Sequence, residues 1–249
     1  MATYSISDLH GQYDIFEKLL DIIHFSDDDF LYVLGDAIDR GPDGVKILQT
    51  IMNAPNMDLL IGNHEFLMLN AIAQDGSVDE LPGRDVSLWL DFNGGQITYD
   101  HYCELSLEER KSLLAWLKTR AFTTLVYIGE KTFCLTHSYF KVALIDTAFS
   151  EVSYRVAWNI VWRTPYRDDI YVPTDDYVEN DWQFIIGHVP VQRVVGLDTK
   201  LEAFHDQNIL LIDGGCSYRN DGVLNDDEYG VICIKLDDLS ETVLTFASL

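Results

Sequence analysis

The chain has 249 residues, 47% of them hydrophobic and 23% charged, which is typical of a globular protein and long enough for one large domain but short for two complete ones. Asp and Glu number 41 against 17 Lys and Arg, and the formal net charge is −24 at pH 7. This charge disfavours binding to nucleic acids and anionic membranes, although bound cations would reverse the local field and let an acidic protein hold an anionic substrate.

The sequence carries no signal for export or for membrane insertion. Residues 1–4 lack the charged and apolar regions of a signal peptide, and no run approaches the roughly 18 apolar residues of a membrane span. The four cysteines are far apart and form no CxxC pair, so neither a disulfide framework nor a thiolate metal site is expected. We therefore expect a soluble cytoplasmic protein.

The first seventy residues alternate apolar runs with helical periods. We predict strands over residues 3–7, 30–34 and 57–61, each followed by a helix, over residues 13–24, 43–52 and 65–73. This βαβαβα order predicts a parallel sheet that is covered by helices.

The rest of the chain is helical at first and then rich in strands. A capping box at Ser106 and Glu109 predicts a helix to about residue 120, and a hairpin-like pair of strands follows around residues 129–130. Residues 140–181 are rich in aromatic residues and Asp, and we interpret them as an irregular, lid-like excursion. Further strands are predicted over residues 184–186, 209–212, 231–236 and 243–246. This order predicts one domain over residues 1–249, with two sheets packed face to face and helices outside.

Each of the three N-terminal strands ends in a polar cluster. The first cluster is Ser7-Asp8-Leu9-His10-Gly11, the second runs from Gly35 to Gly41, and the third is Gly62-Asn63-His64-Glu65. In a parallel sheet these ends lie side by side at the carboxyl edge, where open α/β folds bind ligands. Asp8 and His10 are two residues apart, so an extended chain would point both to one side.

Two later histidines, His137 and His188, also follow predicted strands. A single Asp or His after a strand is more often a cap or a turn residue, but five such strand ends together favour a metal site. Carboxylates, imidazoles and an amide oxygen suit Mn²⁺, Fe²⁺, Zn²⁺ or Ni²⁺ better than Ca²⁺. The ligands suffice for two metals with one bridging carboxylate, and such metals lie ~3.5–4 Å apart and clamp the oxygens of an in-line displacement.

These clusters resemble the motifs of the phosphoprotein phosphatase family of metallophosphoesterases, which includes serine/threonine protein phosphatases and diadenosine tetraphosphatases. The family signature is GDxHG, GDxxDRG and GNHE, and Ser7 replaces the first glycine of the first motif. The spacing resembles bacterial and phage members, and the resemblance extends over about residues 3 to 216. Weaker matches later in the chain are Asn93-Gly94-Gly95 with Thr98, His137-Ser138, Gly187-His188-Val189-Pro190 and Asp213-Gly214-Gly215-Cys216.

The resemblance implies a calcineurin-like, four-layer α/β fold, a β-sandwich of two mixed sheets flanked by helices. It also implies a dinuclear metal site. Asp8 and His10 would bind the first metal, and Asp36 would bridge. The second metal would be held by Asn63, His137 and His188. A water or hydroxide shared by the metals would attack phosphorus.

The same resemblance implies the residues of catalysis and phosphate binding. His64 would be the general acid, and Asp39 would orient it by a hydrogen bond. Arg40 would bind phosphate oxygens, next to Asn63. A second phosphate-binding arginine is expected before the last histidine; Arg163 is the first candidate, and Arg155 and Arg167 are its competitors.

We expect a serine/threonine or dual-specificity protein phosphatase that acts on phosphoproteins or small phosphate esters, with Mn²⁺ as the first choice of metal and Fe, Zn, Ni or Co as alternatives. A diadenosine tetraphosphatase is the runner-up, and a catalytically inactive metal-binding scaffold is the least favoured reading. Substrate choice is assigned to the 140–181 excursion. The residues considered for it are Tyr139, Trp158, Trp162 and Tyr166, which could stack on adenine or merely pack, and the acidic Asp168, Asp169, Asp175, Asp176 and Asp181.

Overall fold

The computed structural model describes residues 1–167, 170–171, 181–196, 199–219 and 221–249. Its strands are β1 (Thr3–Ile6), β2 (Phe30–Val33), β3 (Met57–Leu59), β4 (Thr123–Ile128), β5 (Lys131–Thr136), β6 (Tyr166–Arg167), β7 (Ile170–Tyr171), β8 (Gln183–Ile186), β9 (Phe204–Asp206), β10 (Ile209–Leu211), β11 (Gly230–Lys235) and β12 (Ser240–Thr245). Its α-helices are α1 (Tyr13–Ile22), α2 (Gly44–Asn53), α3 (Asn63–Ala71), α4 (Gln96–Glu104), α5 (Leu107–Lys118), α6 (Tyr154–Trp162) and α7 (Gln192–Val195). A π-helical turn spans Leu88–Phe92.

Two five-stranded mixed sheets form the centre of the fold. The first has the order β12-β11-β1-β2-β3, in which β1, β2 and β3 are parallel. The second has the order β4-β5-β8-β10-β9, in which β5, β8 and β10 are parallel and the two edge strands are antiparallel to their neighbours. Each sheet therefore brings the carboxyl ends of three parallel strands to one edge, the place where open α/β sheets bind ligands.

Alternating side chains of the strands divide the apolar interior into two clusters. Ile232 and Ile234 of β11 belong to the cluster that contains Phe184 of β8, so they pack between the two sheets. Val231, their neighbour on the same strand, belongs to the cluster that contains Phe16 of α1. Because successive residues of a strand point to opposite faces, β11 serves both clusters. The predicted α/β fold, two mixed sheets flanked by helices, is confirmed.

The largest departure from the predicted elements lies in the excursion over residues 140–181. It contains the helix α6, where we expected irregular structure. Tyr154, Trp158 and Trp162 are spaced four residues apart, so their rings line one helix face at 6.0 and 5.6 Å between centroids. That spacing was a helical signal in the sequence. Among the acidic residues considered there, Asp168, Asp169, Asp175 and Asp176 lie outside the described residues.

Some of the other observed elements match the predicted ones, and some were not predicted. The capping box of α5 is present, with hydrogen bonds in both directions between Ser106 and Glu109. The helix α4 and the short edge strand β9 were not predicted. None of the described helices combines the length and apolar character that crossing a bilayer requires.

Candidate metal centre and phosphate-binding site

Backbone hydrogen bonds join the loops that follow β1 and β2. The N–H of Asp8 donates to the oxygen of Gly35 (3.1 Å), and the N–H of His10 donates to the oxygen of Asp36 (2.9 Å). Asp8, His10 and Asp36 have φ angles of 55°, 44° and 52°, in a left-handed region that is costly for residues other than glycine. The prediction of an extended chain at Asp8 and His10 is therefore wrong. Left-handed turns, held by the neighbouring loop, bring them to the site.

Glu65, in the first turn of α3, ties the third loop to the second. Its fully buried carboxylate accepts hydrogen bonds from the backbone N–H groups of Asp36 (2.9 Å), Ala37 (2.8 Å) and Gly62 (3.0 Å). Burial, followed by the nearby charge of Asp36, raises the pKa of Glu65 to about 7. Sequence reasoning did not assign this bracing role, because two of the partners lie in another motif.

Donor atoms from both sheets converge around His137. Its Nε2 lies 3.5 Å from Oδ2 of Asp36. The same nitrogen is 3.0 Å from Oδ1 of Asn63 and 3.2 Å from Nδ1 of His188. Ligand atoms that lie about 2.1 Å from one shared cation are roughly 3.0–3.5 Å from one another. Measured from Nε2 of His137, the other three atoms therefore have the spacing expected of ligands to one cation.

The hydrogen bonding of His137 leaves its Nε2 without a proton. Nδ1 lies 2.8 Å from the backbone oxygen of Leu34, which can only accept, so Nδ1 carries the proton of the neutral ring. Burial lowers the pKa of His137 and favours that neutral form. The Nε2 lone pair thus points towards a carboxylate oxygen of Asp36, an arrangement that a cation between the two atoms would stabilise.

A second group forms around Asp36 on the side of the first sheet. The ligand atoms of His10, Asp36 and His64 all lie within 4.8 Å of one another. Nε2 of His10 is 3.9 Å from Oδ2 of Asp36, and its Nδ1 is 3.3 Å from the backbone oxygen of Ile38. His10 is therefore oriented in the same way as His137, with a carbonyl at Nδ1 and Nε2 towards Asp36.

Asp8 lies beside this second group. Its Oδ2 accepts hydrogen bonds from the N–H of His188 (2.9 Å) and from the Ser7 hydroxyl. The backbone of Gly187 passes so closely that an added Cβ would lie 2.3 Å from the same oxygen. Oδ1 of Asp8 is buried and has no hydrogen-bond partner among the described residues, which suits an atom that binds a cation.

Electrostatics also favour a cation at this site. Burial, followed by the nearby charges of Asp213 and Asp36, raises the pKa of Asp8 well above its ordinary value. Burial raises the pKa of Asp213 to about 7. For Asp36, burial also acts to raise the pKa, but the positive charge that His137 and the other histidines carry when protonated outweighs burial and lowers the pKa. Because buried carboxylates repel one another, divalent cations fit this donor set.

His64 and Asp39 form a buried pair next to the metal-ligand groups. Nδ1 of His64 lies 2.7 Å from Oδ2 of Asp39. The other ring nitrogen, Nε2, lies 3.8 Å from Oδ2 of Asp36 and 3.4 Å from Nη2 of Arg40. Burial alone lowers the pKa of His64, but Asp36 and the hydrogen bond to Asp39 outweigh burial and raise it. Arg40 can only donate, so Nε2 accepts from it in the neutral ring, and the charge of Arg40 opposes the rise in the pKa of His64. In the imidazolium that the raised pKa favours, Nε2 carries a proton beside a guanidinium suited to binding anions.

The ligand groups open into a cavity of about 1240 Å³. Arg40 and Arg163, both exposed, are among its lining residues. The guanidinium carbon of Arg163 lies 4.2 Å from the ring centroid of Tyr139, a cation–π contact that holds the side chain over the ring. Arg155 is exposed on α6 and is not part of the lining, and the Arg167 side chain lies outside the described residues.

The aromatic residues considered for substrate choice lie in different places. Trp162 and Tyr166 line the cavity. Trp162 also contacts His188 edge to face, with ring centroids 5.9 Å apart. Trp158 stacks behind Trp162 on α6, and Tyr139 is buried beneath Arg163. Tyr166 is as deeply buried as Tyr139, so Trp162 is the best placed of the four to contact a bound ligand.

Two residues near the site were missed by sequence reasoning. Nε1 of Trp89 donates to Oδ2 of Asp39 (2.9 Å), and the N–H of Asp39 donates to Oγ1 of Thr98 (2.9 Å). Thr98 belongs to a segment that matched the family pattern, which was the available signal. Trp89 lies 50 positions after Asp39, and the single sequence contains no feature that connects them.

The site defines a metallophosphoesterase, and the sequence places the chain in a specific family of that class. The profile of the family described as calcineurin-like phosphoesterase matches residues 1–215. The chain therefore belongs to the calcineurin-like phosphoesterase family. This membership supports the predicted phosphoric ester hydrolase and its use of divalent metals.

Curated relatives share a part of the chain. A symmetrical bis(5'-nucleosyl)-tetraphosphatase of Delftia acidovorans is 47% identical over 73 residues, which is 28% of this chain and 26% of the relative. An enzyme of the same name from Nitrosomonas europaea is 33% identical over 127 residues, which is 47% of each chain. The match thus spans less than half the length of either relative.

Solved structures agree with the fold at low sequence identity. A putative diadenosine tetraphosphatase superposes with a TM-score of 0.52 at 13% identity, over 98% of this chain and 92% of that one. A cold-active protein-tyrosine phosphatase of a Shewanella species gives 0.53 at 14%, over 96% and 79%. At such identities the likeness concerns the fold alone.

Proposed function

We propose that the protein is a metal-dependent phosphoesterase whose cations are held by the strand ends of both sheets. The observation that carries this proposal is the convergence on Nε2 of His137, within 3.5 Å, of Asp36, Asn63 and His188 side-chain atoms. These residues would hold one cation. Asp8, His10 and the shared Asp36 would hold the other. When bound, the cations would lower the pKa of a water molecule and neutralise phosphate charge.

His64 is the proton donor in this proposal. As the bond between phosphorus and the leaving oxygen breaks, that oxygen takes the proton from Nε2 of His64, and the oxygen of a water molecule forms the new bond to phosphorus. The proton that this water loses restores the imidazolium through solvent. Asp39 accepts from Nδ1 and so directs Nε2 towards the cavity.

The arginines hold the phosphate. Nη2 of Arg40 lies 3.4 Å from Nε2 of His64, so one phosphate group can contact both. Arg163 lines the same cavity, and its planar guanidinium suits a second phosphate oxygen or a second phosphate group. In a chain with a net charge of −24, these cationic groups and the bound metals are what make the cavity favourable for an anion.

We infer a dinucleoside tetraphosphate as the substrate, in place of the phosphoprotein that the sequence first suggested. The curated relatives named above are symmetrical bis(5'-nucleosyl)-tetraphosphatases, which supports the alternative over the first choice. The cavity, at about 1240 Å³, exceeds the ~300–1,000 Å³ of usual small-molecule sites and leaves room for an extended ligand. Trp162 lines it and offers a flat surface for a base.

The test is steady-state hydrolysis by the purified protein with Mn²⁺, with diadenosine tetraphosphate and a phosphothreonine peptide side by side. We expect a higher kcat/KM on the dinucleotide and ADP as the single nucleotide product, since symmetrical cleavage adds one water across the central P–O–P bridge. A preference for the peptide would restore the protein phosphatase reading. Hydrolysis of neither substrate by metal-loaded protein would contradict the proposed enzyme and favour the inactive scaffold.

A further inference from the structure

The segment from Leu88 to Thr98 packs beneath the loop that carries Asp39 and Arg40. Trp89, in its π-helical turn, is fully buried, and its Nε1 donates to Oδ2 of Asp39 at 2.9 Å. The same oxygen accepts from Nδ1 of His64 at 2.7 Å. One carboxylate oxygen thus connects the indole to the proposed proton donor. π-Helical turns are rare and are frequent at functional sites.

Other residues of this segment hold the same loop. The N–H of Arg40 donates to the backbone oxygen of Gly94 (3.1 Å), and the N–H of Asp39 donates to Oγ1 of Thr98 (2.9 Å). Asp39 and Arg40 have φ angles of 71° and 68°, a conformation that persists only where surrounding contacts enforce it. Gly95 leaves space for the indole, because a Cβ there would lie 2.3 Å from Nε1 of Trp89.

The chemistry of the indole decides what these contacts do. An indole N–H can only donate, so Oδ2 of Asp39 must be an acceptor, and Nδ1 of His64 must carry a proton to bond to it. Two donors on this one oxygen restrict the rotation of the Asp39 carboxylate, whose Oδ1 has no hydrogen-bond partner among the described residues. Nε2 is then the nitrogen that faces the phosphate and gives up its proton.

We propose that Trp89 is a positioning residue: its indole N–H fixes the Asp39 carboxylate, which in turn aims Nε2 of His64 at the leaving oxygen. This inference rests on the proposed function, because it needs a hydrolysis step in which His64 protonates the leaving group. A tryptophan that served only to fill the core would need its ring but not its N–H. Replacement by phenylalanine separates the two roles, since it keeps an aromatic ring and removes the donor.

The experiment compares two aryl phosphates that differ in their need for a proton. Phenyl phosphate releases a basic phenolate that requires protonation, whereas 2,4-dinitrophenyl phosphate releases a stable anion. We expect Trp89→Phe to lower kcat about tenfold on phenyl phosphate and at most about twofold on the dinitrophenyl ester. His64→Asn should show the same preference for the dinitrophenyl ester, with a larger loss of about 10²-fold or more on phenyl phosphate. Equal losses on both esters would overturn the positioning role, because general damage to the fold does not distinguish leaving groups.

Matched variants control for folding. Trp116→Phe makes the same change on α5, outside the cavity lining, and should leave both rates unchanged. Thr98→Val removes the acceptor for the Asp39 N–H at nearly constant volume and should reproduce the leaving-group-dependent loss, and Thr98→Ser should restore the rate. If neither Trp89→Phe nor Thr98→Val folds by circular dichroism, the segment is structural and the proposal is wrong. If the wild-type protein hydrolyses neither ester, the proposed function itself fails.

Discussion

The two sheets contribute to the site in different ways. The first sheet supplies consecutive loops after β1, β2 and β3, which bond to one another through backbone groups and through Glu65. The second sheet supplies single histidines after β5 and β8. Their loops share one backbone bond, from the N–H of Gly187 to the oxygen of His137 (3.0 Å), the N–H of His188 donates to Asp8, and the two imidazoles meet near Asp36. The first half of the site is therefore a frame of loops joined by several backbone and carboxylate bonds, whereas the second half has fewer such bonds and relies more on imidazole contacts that bound cations would complete.

The shared residue of both halves should have the largest effect. Oδ2 of Asp36 is 3.5 Å from His137 and 3.9 Å from His10, so Asp36→Asn should weaken both cation sites. We expect kcat/KM to fall by more than about 10³-fold and the metal content to fall with it, as measured by elemental analysis after dialysis. Asp146→Asn, at an exposed position, is the control. Unchanged metal content in Asp36→Asn would contradict the bridging role.

Single-histidine variants separate the two halves. Three candidate ligand atoms lie within 3.5 Å of Nε2 of His137, whereas Nε2 of His10 lies 3.9 Å from Oδ2 of Asp36. Each of His137→Gln and His10→Gln should reduce the bound cations from about two to about one per chain and lower kcat/KM roughly 10²-fold. Titration calorimetry with Mn²⁺ gives the stoichiometry. If either variant kept full stoichiometry, that histidine would not be a ligand.

Variants of two arginines test which of these side chains binds the phosphate of the substrate. Arg163 lines the cavity, whereas Arg155 lies on the same stretch of chain but outside the lining. Arg163→Ala should raise KM for diadenosine tetraphosphate about tenfold, since a charged hydrogen bond contributes about 1.5 kcal/mol. Arg155→Ala should leave KM unchanged. Steady-state kinetics give KM for both variants. Equal changes in KM would show that Arg163 does not bind the phosphate.

Variants of two glutamates at equivalent helix positions compare the loops after β1, β2 and β3 with an ordinary helix cap. Glu65 and Glu109 are each the third residue of a helix. Each carboxylate accepts a hydrogen bond from the N–H of the residue that precedes its helix. Glu65 is buried and also holds two N–H groups of the neighbouring loop, so Glu65→Gln should reduce the free energy of unfolding by about 2–3 kcal/mol. Glu109→Gln should not shift the urea midpoint measurably. Equal midpoints for the two variants would show that Glu65 does not brace the loops.

The same contrast explains what the sequence could and could not predict. The proposed ligands of the first sheet lie in short motifs after strongly apolar strands, so their residue types and their common edge followed from the strand order. His137 and His188 were found for the same reason. Trp89 was not found, because its contact with Asp39 joins a π-helical turn to a loop 50 positions earlier and depends on packing rather than on periodicity.

The local backbone conformation also could not be predicted from the sequence. Asp8 and His10 adopt left-handed backbone angles, which are uncommon for any residue other than glycine even though Asp and His adopt them more often than most, and the neighbouring loop holds them there. The helix α6 was missed although its aromatic residues recur every four positions. Whether the 140–181 excursion acts as a lid, and whether residues 1–249 behave as one domain, remain predictions.

Anomalous diffraction from crystals grown with Mn²⁺ would locate the proposed cations without relying on activity. We predict two manganese peaks separated by ~3.5–4 Å, both within ligand distance of Asp36. One would also be bound by Asn63, His137 and His188, and the other by Asp8 and His10. A single peak, or manganese bound away from Asp36, would contradict this prediction.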